Sequence, residues 1–167
     1  MARTLSLRRR VMAVFFGGFF GTLMRYLLST LIQSWLGKNF PFDILFINIT
    51  GALILALVTV LADATFLVGP TRRLFINIGF LGAYTTFSSM ALGDVLLFAH
   101  GSWLLALLYV VLSLIGGVLA VLLGDWLGHK IIRAARREKT GKLPVLKLPG
   151  NQKDQEEERI ARFKGRS

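Results

Sequence analysis

The fold of this chain is decided by residues 79–90, which read GFLGAYTTFSSM. Two glycines, two threonines and two serines interrupt an otherwise apolar run in this stretch. Glycine and β-branched threonine are poor helix formers, and hydroxyl side chains compete for backbone hydrogen bonds. We therefore expect a helix that breaks within this stretch. Such a break frees carbonyl oxygens, which can coordinate a cation.

The sequence on both sides of this stretch predicts membrane-spanning helices. The chain has 167 residues, of which 54% are hydrophobic and 17% are charged, and most charges lie near its two ends. A helix needs about 20 apolar residues to cross a bilayer. Four such runs are separated by turn formers or charges: Val11–Ile32, Ile44–Val68, Leu74–Ala99 and Trp103–Leu127. We predict an all-α membrane protein with four transmembrane helices and a break in the third.

The distribution of charge predicts the topology. We expect a basic N-terminal tail at 1–10, a membrane domain at 11–128, and a basic tail at 129–167 that is disordered or lies on the membrane surface. Eighteen of the 20 Lys and Arg residues fall on the side of both termini, whereas Lys38 alone lies in the loops of the other side. The positive-inside rule then places both termini in the cytoplasm, with the protein in a bacterial inner membrane. The first apolar run is longer than a signal-peptide core and has no clear cleavage site, so we expect it to be retained.

Several functional classes lose support at this stage. The chain contains no cysteine, which excludes disulfides and thiol chemistry, and His100 and His129 both lie at span ends. We therefore expect no enzyme. A small proton-coupled antiporter requires an intramembrane carboxylate. Asp63, Asp94 and Asp125 lie only near the ends or outer parts of spans, so this class is disfavoured and is kept as an alternative. The basic charge is typical of membrane flanks rather than of nucleic-acid binding.

Three side chains inside the spans suggest anion chemistry. Arg25 must meet a partner or water, because a cation in hydrocarbon costs at least about 2.5–3.5 kcal/mol. Contact with neighbouring carbonyl groups and contact with an anion both remain open for it. Asn48 offers two N–H donors, either to another helix or to an anion. The positively polarised rim of Phe87 can face an anion without hydrating it, which suits a small, strongly hydrated anion.

Small residues recur at intervals of four in the first and fourth spans. Such spacing lets helices approach closely, so it predicts helix contacts rather than transport. The residues are Gly17 and Gly21 in the first span, and Gly116, Ala120, Gly124 and Gly128 in the fourth.

Three motifs occur in a fixed order along the chain. They are GGFFG at 17–21 with Arg25-Tyr26, Phe40-Pro41 ahead of INITG at 47–51, and GFLG at 79–82 running into TTFSS at 85–89. In these motifs the chain resembles the small four-span fluoride channels of the Fluc or CrcB family, from Gly17 to about Gly124. The resemblance implies a passive, fluoride-selective channel that lets cytoplasmic fluoride leave the cell. It also implies a dimer of two antiparallel subunits with fluoride pathways along their interface.

The resemblance assigns roles to individual residues. Gly82 and Thr85 would offer backbone carbonyls to a structural sodium ion at the dimer centre. Two departures from the family pattern are Met90, where a second Phe is usual, and Ile44, where a hydroxyl residue is common. The implied fluoride pathway comprises Asn48, Phe87, Met90, Ser88, Tyr109, Ser113, Arg25 and Thr86.

The charge bias bears on the expected assembly. A subunit that inserts in both orientations should have nearly balanced Lys and Arg, yet the two sides of this chain differ by eighteen to one. We expect a homodimer on family frequency. The alternative is an obligate heterodimer, in which this chain pairs with a separate, oppositely oriented subunit. The other expected partners are fluoride and membrane lipid.

Overall fold

A computed structural model of the chain describes residues 6–64, 69–141, 160–161 and 165. The elements of this part are all helical: α1 (Leu7–Leu36), α2 (Phe42–Ala64), α3 (Pro70–Arg73), a π-helix π1 (Leu74–Leu81), α4 (Gly82–Tyr84), α5 (Phe87–Ala99) and α6 (Trp103–Gly141). Four stretches are long and apolar enough to cross a membrane: Leu7–Leu36, Phe42–Ala64, Pro70–Ala99 and Trp103–Ala135. The predicted all-α fold with four spans is confirmed.

The span limits differ from the prediction at several points. Helix α1 extends four residues beyond the predicted span at each end, and the predicted end of the second span at 65–68 lies outside the described residues. Helix α6 continues past residue 128 to Gly141, because residues 129–140 are mostly good helix formers such as Lys, Arg and Ala. The chain divides into two compact units, Met1–Ala134 and Ala135–Ser167. Most of the predicted tail beyond Gly141 lies outside the described residues.

The third span is broken at the predicted place. Thr85 (φ −77°, ψ 154°) and Thr86 (φ −153°, ψ 119°) have extended backbones between α4 and α5. The Thr86 side chain accepts a hydrogen bond from the backbone N–H of Ser89 at 3.2 Å. Thr86 therefore caps the N-terminus of α5, a position that threonine favours because its hydroxyl replaces a missing helical acceptor.

Helix α1 lies against π1 through glycines. A Cβ atom at Gly17 would overlap the carbonyl oxygen of Phe75, and one at Gly21 would overlap that of Phe80. On the other side of this contact, a Cβ at Gly79 would lie 2.9 Å from the carbonyl oxygen of Val14. The backbones of the two helices therefore touch, and any side chain at these glycines would push them apart.

The small residues of α6 face α2. A Cβ at Gly116 would lie 2.7 Å from a side-chain carbon of Ile49, and one at Gly128 would lie 2.8 Å from a side-chain carbon of Val60. The interval of four residues thus marks a helix contact, as the sequence predicts.

Two buried clusters position the broken span. One holds π1 and α4 against α2, and the other holds α5 against α6, so each half of the span is anchored separately. Their members are Ile47, Leu81 and Tyr84 in the first cluster, and Leu97, Ala106 and Tyr109 in the second.

Candidate functional site

The centre of the candidate site is a reciprocal pair of hydrogen bonds between Asn48 and the broken span. The Nδ2 of Asn48 donates to the carbonyl oxygen of Thr86 at 3.0 Å, and the N–H of Thr86 donates to Oδ1 of Asn48 at 2.8 Å. The extended backbone of Thr86 has left its helix, so these groups need another partner. The Asn48 amide supplies one for each, and its second Nδ2 hydrogen takes no part in the pair.

The same geometry explains why two particular carbonyls lose their helical donors. In an unbroken helix Thr86 N–H would bond the carbonyl of Gly82, but here it bonds Asn48. Ser89 N–H would bond the carbonyl of Thr85, but here it bonds the hydroxyl of Thr86. Gly82 and Thr85 are the residues predicted to offer carbonyls to sodium. Side chains have thus taken the donors that would otherwise occupy these two oxygens.

A group of hydroxyls follows the break. Thr86 Oγ1 lies 3.1 Å from Ser88 Oγ and 3.2 Å from Ser89 Oγ, and it also accepts the N–H of Ser89. One oxygen therefore has three neighbouring donors or acceptors. Ser89 was not among the predicted pathway residues, although it lies inside the motif that indicated the break.

The remaining residues predicted on the broken span face different surroundings. Phe87 is 78% exposed and Ser88 is exposed, so both lie on the surface of the single chain. Met90 is half-buried and packs against the cluster that contains Tyr109. Arg25 is half-buried on α1 and has no hydrogen bond or ion pair within the described part of the chain.

Two buried hydroxyls on α6 have no hydrogen-bond partner in the part of the chain that the structure describes. Tyr109 is fully buried, and its ring meets the ring of Phe40 edge-on at 5.6 Å between centroids. The Tyr109 hydroxyl and the Ser113 hydroxyl, one helical turn apart, make no hydrogen bond with any described residue. A buried polar group without a partner costs about 1–3 kcal/mol. Both residues belong to the predicted pathway, and both keep a donor available.

A cavity of about 520 Å³ lies at the end of the molecule that carries the α1–α2 and α5–α6 loops. Its lining includes Asp43, which is 3% exposed, and Ser89. Asp43 accepts hydrogen bonds at Oδ2 from the Ser29 hydroxyl and from Gln33 Nε2, the latter at 2.8 Å. This carboxylate was not among the residues predicted from the sequence. The polar pair Ser29 and Gln33, four residues apart in an apolar helix, was the available signal.

Comparisons with known proteins identify the family of this chain. Residues 12–125 match the family described as CrcB-like protein, Camphor Resistance (CrcB). A protein of Methylococcus capsulatus named fluoride-specific ion channel FluC is 37% identical over 80% of this chain, although the match spans only 56% of that relative. An Acidobacterium capsulatum protein of the same name is 40% identical over 70% of this chain and 93% of its own length. A Staphylococcus aureus protein named fluoride-specific ion channel FluC 1 is 41% identical over 69% of this chain and 93% of its own length.

The family match covers more than half of the chain, and the Acidobacterium and Staphylococcus relatives are matched over nearly their whole lengths. The matched residues 12–125 include parts of all four membrane spans of the structure. The resemblance inferred from the three motifs is thereby confirmed. The chain therefore belongs to the CrcB family of multi-pass membrane proteins.

Proposed function

We propose that this chain is a passive, fluoride-selective channel that lowers cytoplasmic fluoride by letting it leave the cell. The observation that carries the proposal is the break in the third span, where the Asn48 amide and a group of hydroxyls meet. The names of the relatives support fluoride as the ion. We further propose a bacterial inner membrane location with both termini in the cytoplasm, and no catalytic activity.

The chemistry of the site fits a small, strongly hydrated anion. Fluoride leaves water only when N–H or O–H donors replace its hydration shell. The second Nδ2 hydrogen of Asn48 and the unpaired hydroxyls of Tyr109 and Ser113 are such donors. The ring edge of Phe87 adds a weakly positive surface that does not hold the anion tightly. Several weak donors along the pathway can replace the hydration shell of fluoride without binding the anion tightly.

We propose that a second, antiparallel copy completes the pathway. Phe87 and Ser88 are exposed in the single chain, so a pathway that includes them needs another wall. The carbonyls of Gly82 and Thr85, which have lost their helical donors, would hold a sodium ion together with the same oxygens of the second copy. That ion would tie the two broken spans together and place a fixed positive charge between them. The obligate heterodimer remains the alternative, and the eighteen-to-one charge bias favours it.

Fluoride efflux from liposomes that contain this chain alone tests the proposal. We expect rapid fluoride release at an electrode and negligible chloride release under the same gradient. Asn48→Asp should abolish the release, because it puts a carboxylate in the anion path and opposes the Thr86 carbonyl. Ser6→Asp, which adds the same charge at an exposed position at the opposite end of α1, is the matched control and should conduct normally.

Other outcomes separate the alternatives. Equal release of chloride would refute fluoride selectivity. Release that follows an imposed pH gradient rather than the fluoride gradient would indicate a proton-coupled antiporter. Well-folded protein that releases no fluoride would indicate an obligate partner subunit.

A further inference from the structure

Asp43 is a buried acid in the wall of a cavity near the candidate anion site. It is the only buried charged side chain among the described residues. The cavity is bounded by the end of α1, the loop before α2, the first turn of α2 and one face of α5 along most of its length. Ser29 and Gln33 both donate to Oδ2 of Asp43, so they hold the carboxylate in one position.

Ser89 links the cavity wall to the candidate anion site. Ser89 lines the cavity and contacts Thr86, which in turn is paired with Asn48. Asp43 and Asn48 are five positions apart on the same helix, which corresponds to a rise of about 7.5 Å and a rotation of about 140° about the axis, so their side chains lie on the order of 10 Å apart. The carboxylate is therefore close enough to act on an anion held at Asn48.

The cavity wall formed by α5 also lies close to the proposed pathway. A Cβ at Gly93, which lines the cavity, would lie 3.2 Å from Pro41 and 3.6 Å from the ring of Tyr109. Tyr109 carries one of the unpaired hydroxyls. An anion in the cavity is thus adjacent to two parts of the proposed pathway.

The charged and titratable groups in the cavity wall are few. Lys38 and His100 line it and are exposed, while Asp43 lies deeper. His100 Nδ1 lies 2.6 Å from the carbonyl oxygen of Leu96. Among the described residues that line the cavity, Asp43 is the only one with an acidic side chain. An anion that passes this end therefore meets the Lys38 ammonium at the rim and a carboxylate below it.

We propose that the Asp43 carboxylate sets how readily an anion occupies this cavity, and so limits the rate of fluoride passage. The proposal rests on the proposed channel function. A unit charge at about 10 Å, in surroundings between a protein surface and bulk water, changes the local population of an anion about two- to fifteenfold. Removal of the charge should raise the fluoride flux by a factor in that range. The effect should shrink as salt screens the cavity.

The competing interpretation is that Asp43 only ties α1 to α2. The two interpretations differ in which substitutions raise the flux. Asp43→Asn removes the charge but keeps an oxygen that can accept from Ser29 and Gln33. Gln33→Met keeps the charge and removes one tie. A purely structural role predicts that both variants lose thermal stability and that any change in the flux is the same in both.

Fluoride efflux from liposomes, at 10 mM and 500 mM of an impermeant salt, tests the proposal. We expect Asp43→Asn to release fluoride at least twofold faster than the wild type at low salt, with a smaller ratio at high salt. Lys38→Gln, an exposed change at the cavity rim, should act in the opposite direction and release fluoride more slowly. Asp125→Asn removes an exposed charge at the other end of α6 and should leave the rate unchanged.

Three results would overturn the proposal. In the first, Asp43→Asn and Lys38→Gln both match an active wild type at low salt. In the second, Gln33→Met accelerates release as much as Asp43→Asn, which would assign the effect to helix contacts rather than charge. In the third, the wild type itself releases no fluoride, which would also refute the proposed function of the chain alone. The first two results leave that function intact.

Discussion

Replacement of Asn48 by alanine should damage the broken span more than the loss of a typical polar side chain. Asn48 is the partner of both the N–H and the carbonyl of Thr86, at 2.8 and 3.0 Å. Alanine would leave both backbone groups unpaired. The surrounding membrane contains no water that could replace the amide, so each group bears the cost of desolvation.

The magnitude follows from those two groups. A buried polar group left without a partner costs about 1–3 kcal/mol, so the variant should lose about 2–6 kcal/mol. For a chain of this size each kcal/mol corresponds to about 2–4 °C in Tm, which gives a decrease on the order of 10 °C. Fluoride release should also fall, because the span would no longer be held in its broken geometry.

The assay is a thermal ramp on detergent-solubilised protein, read as loss of the monodisperse peak in size-exclusion chromatography. The matched control is Thr50→Ala on the same helix. Thr50 Oγ1 lies 3.1 Å from the Tyr84 hydroxyl, and its removal exposes no backbone group. That variant should lose about 1 kcal/mol and only a few degrees. If Asn48→Ala loses no more Tm than Thr50→Ala, the amide does not hold the break.

Two further variants test the helix contact and the buried hydroxyl. Gly21→Ala should prevent correct folding, because its Cβ would overlap the carbonyl oxygen of Phe80. Gly18→Ala should be tolerated, because its Cβ would lie 4.0 Å from Ala83. Equal yields of monodisperse protein from the two variants would contradict this difference. Tyr109→Phe removes an unpaired buried hydroxyl, so its Tm should stay the same or rise by a few degrees while its fluoride release falls. A lower Tm would show that the hydroxyl has a structural partner.

The sequence was sufficient to predict the four spans and the position of the break. Both depend on local properties, since a run of apolar residues and a cluster of glycines and hydroxyls act wherever they occur. The glycine spacing in α6 also predicted a helix contact, because residues four apart in a helix share a face. The C-terminal end of α6 was predicted less accurately. The sequence changes from apolar to basic at residue 128, but no helix breaker follows before Gly141, so the helix continues.

The motifs identified the types and positions of the predicted pathway residues but not their surroundings. The structure places Asn48 and Thr86 in direct contact, with the Ser88 hydroxyl against Thr86. It places Met90 against a buried cluster and Phe87 on the surface. A motif gives residue types and spacing, but it does not say whether a side chain faces the core or outward.

Tertiary structure alone decided which polar groups find partners. Asn48 reaches the backbone of a residue 38 positions away, and the buried Asp43 accepts hydrogen bonds from two side chains of another helix. Tyr109 and Ser113 remain unpaired in the described part of the chain, although their positions on α6 look ordinary in sequence. Hydropathy and helix breaks are properties of a local segment. Pairing and burial depend on which distant segments meet, and that is fixed only when the helices pack together.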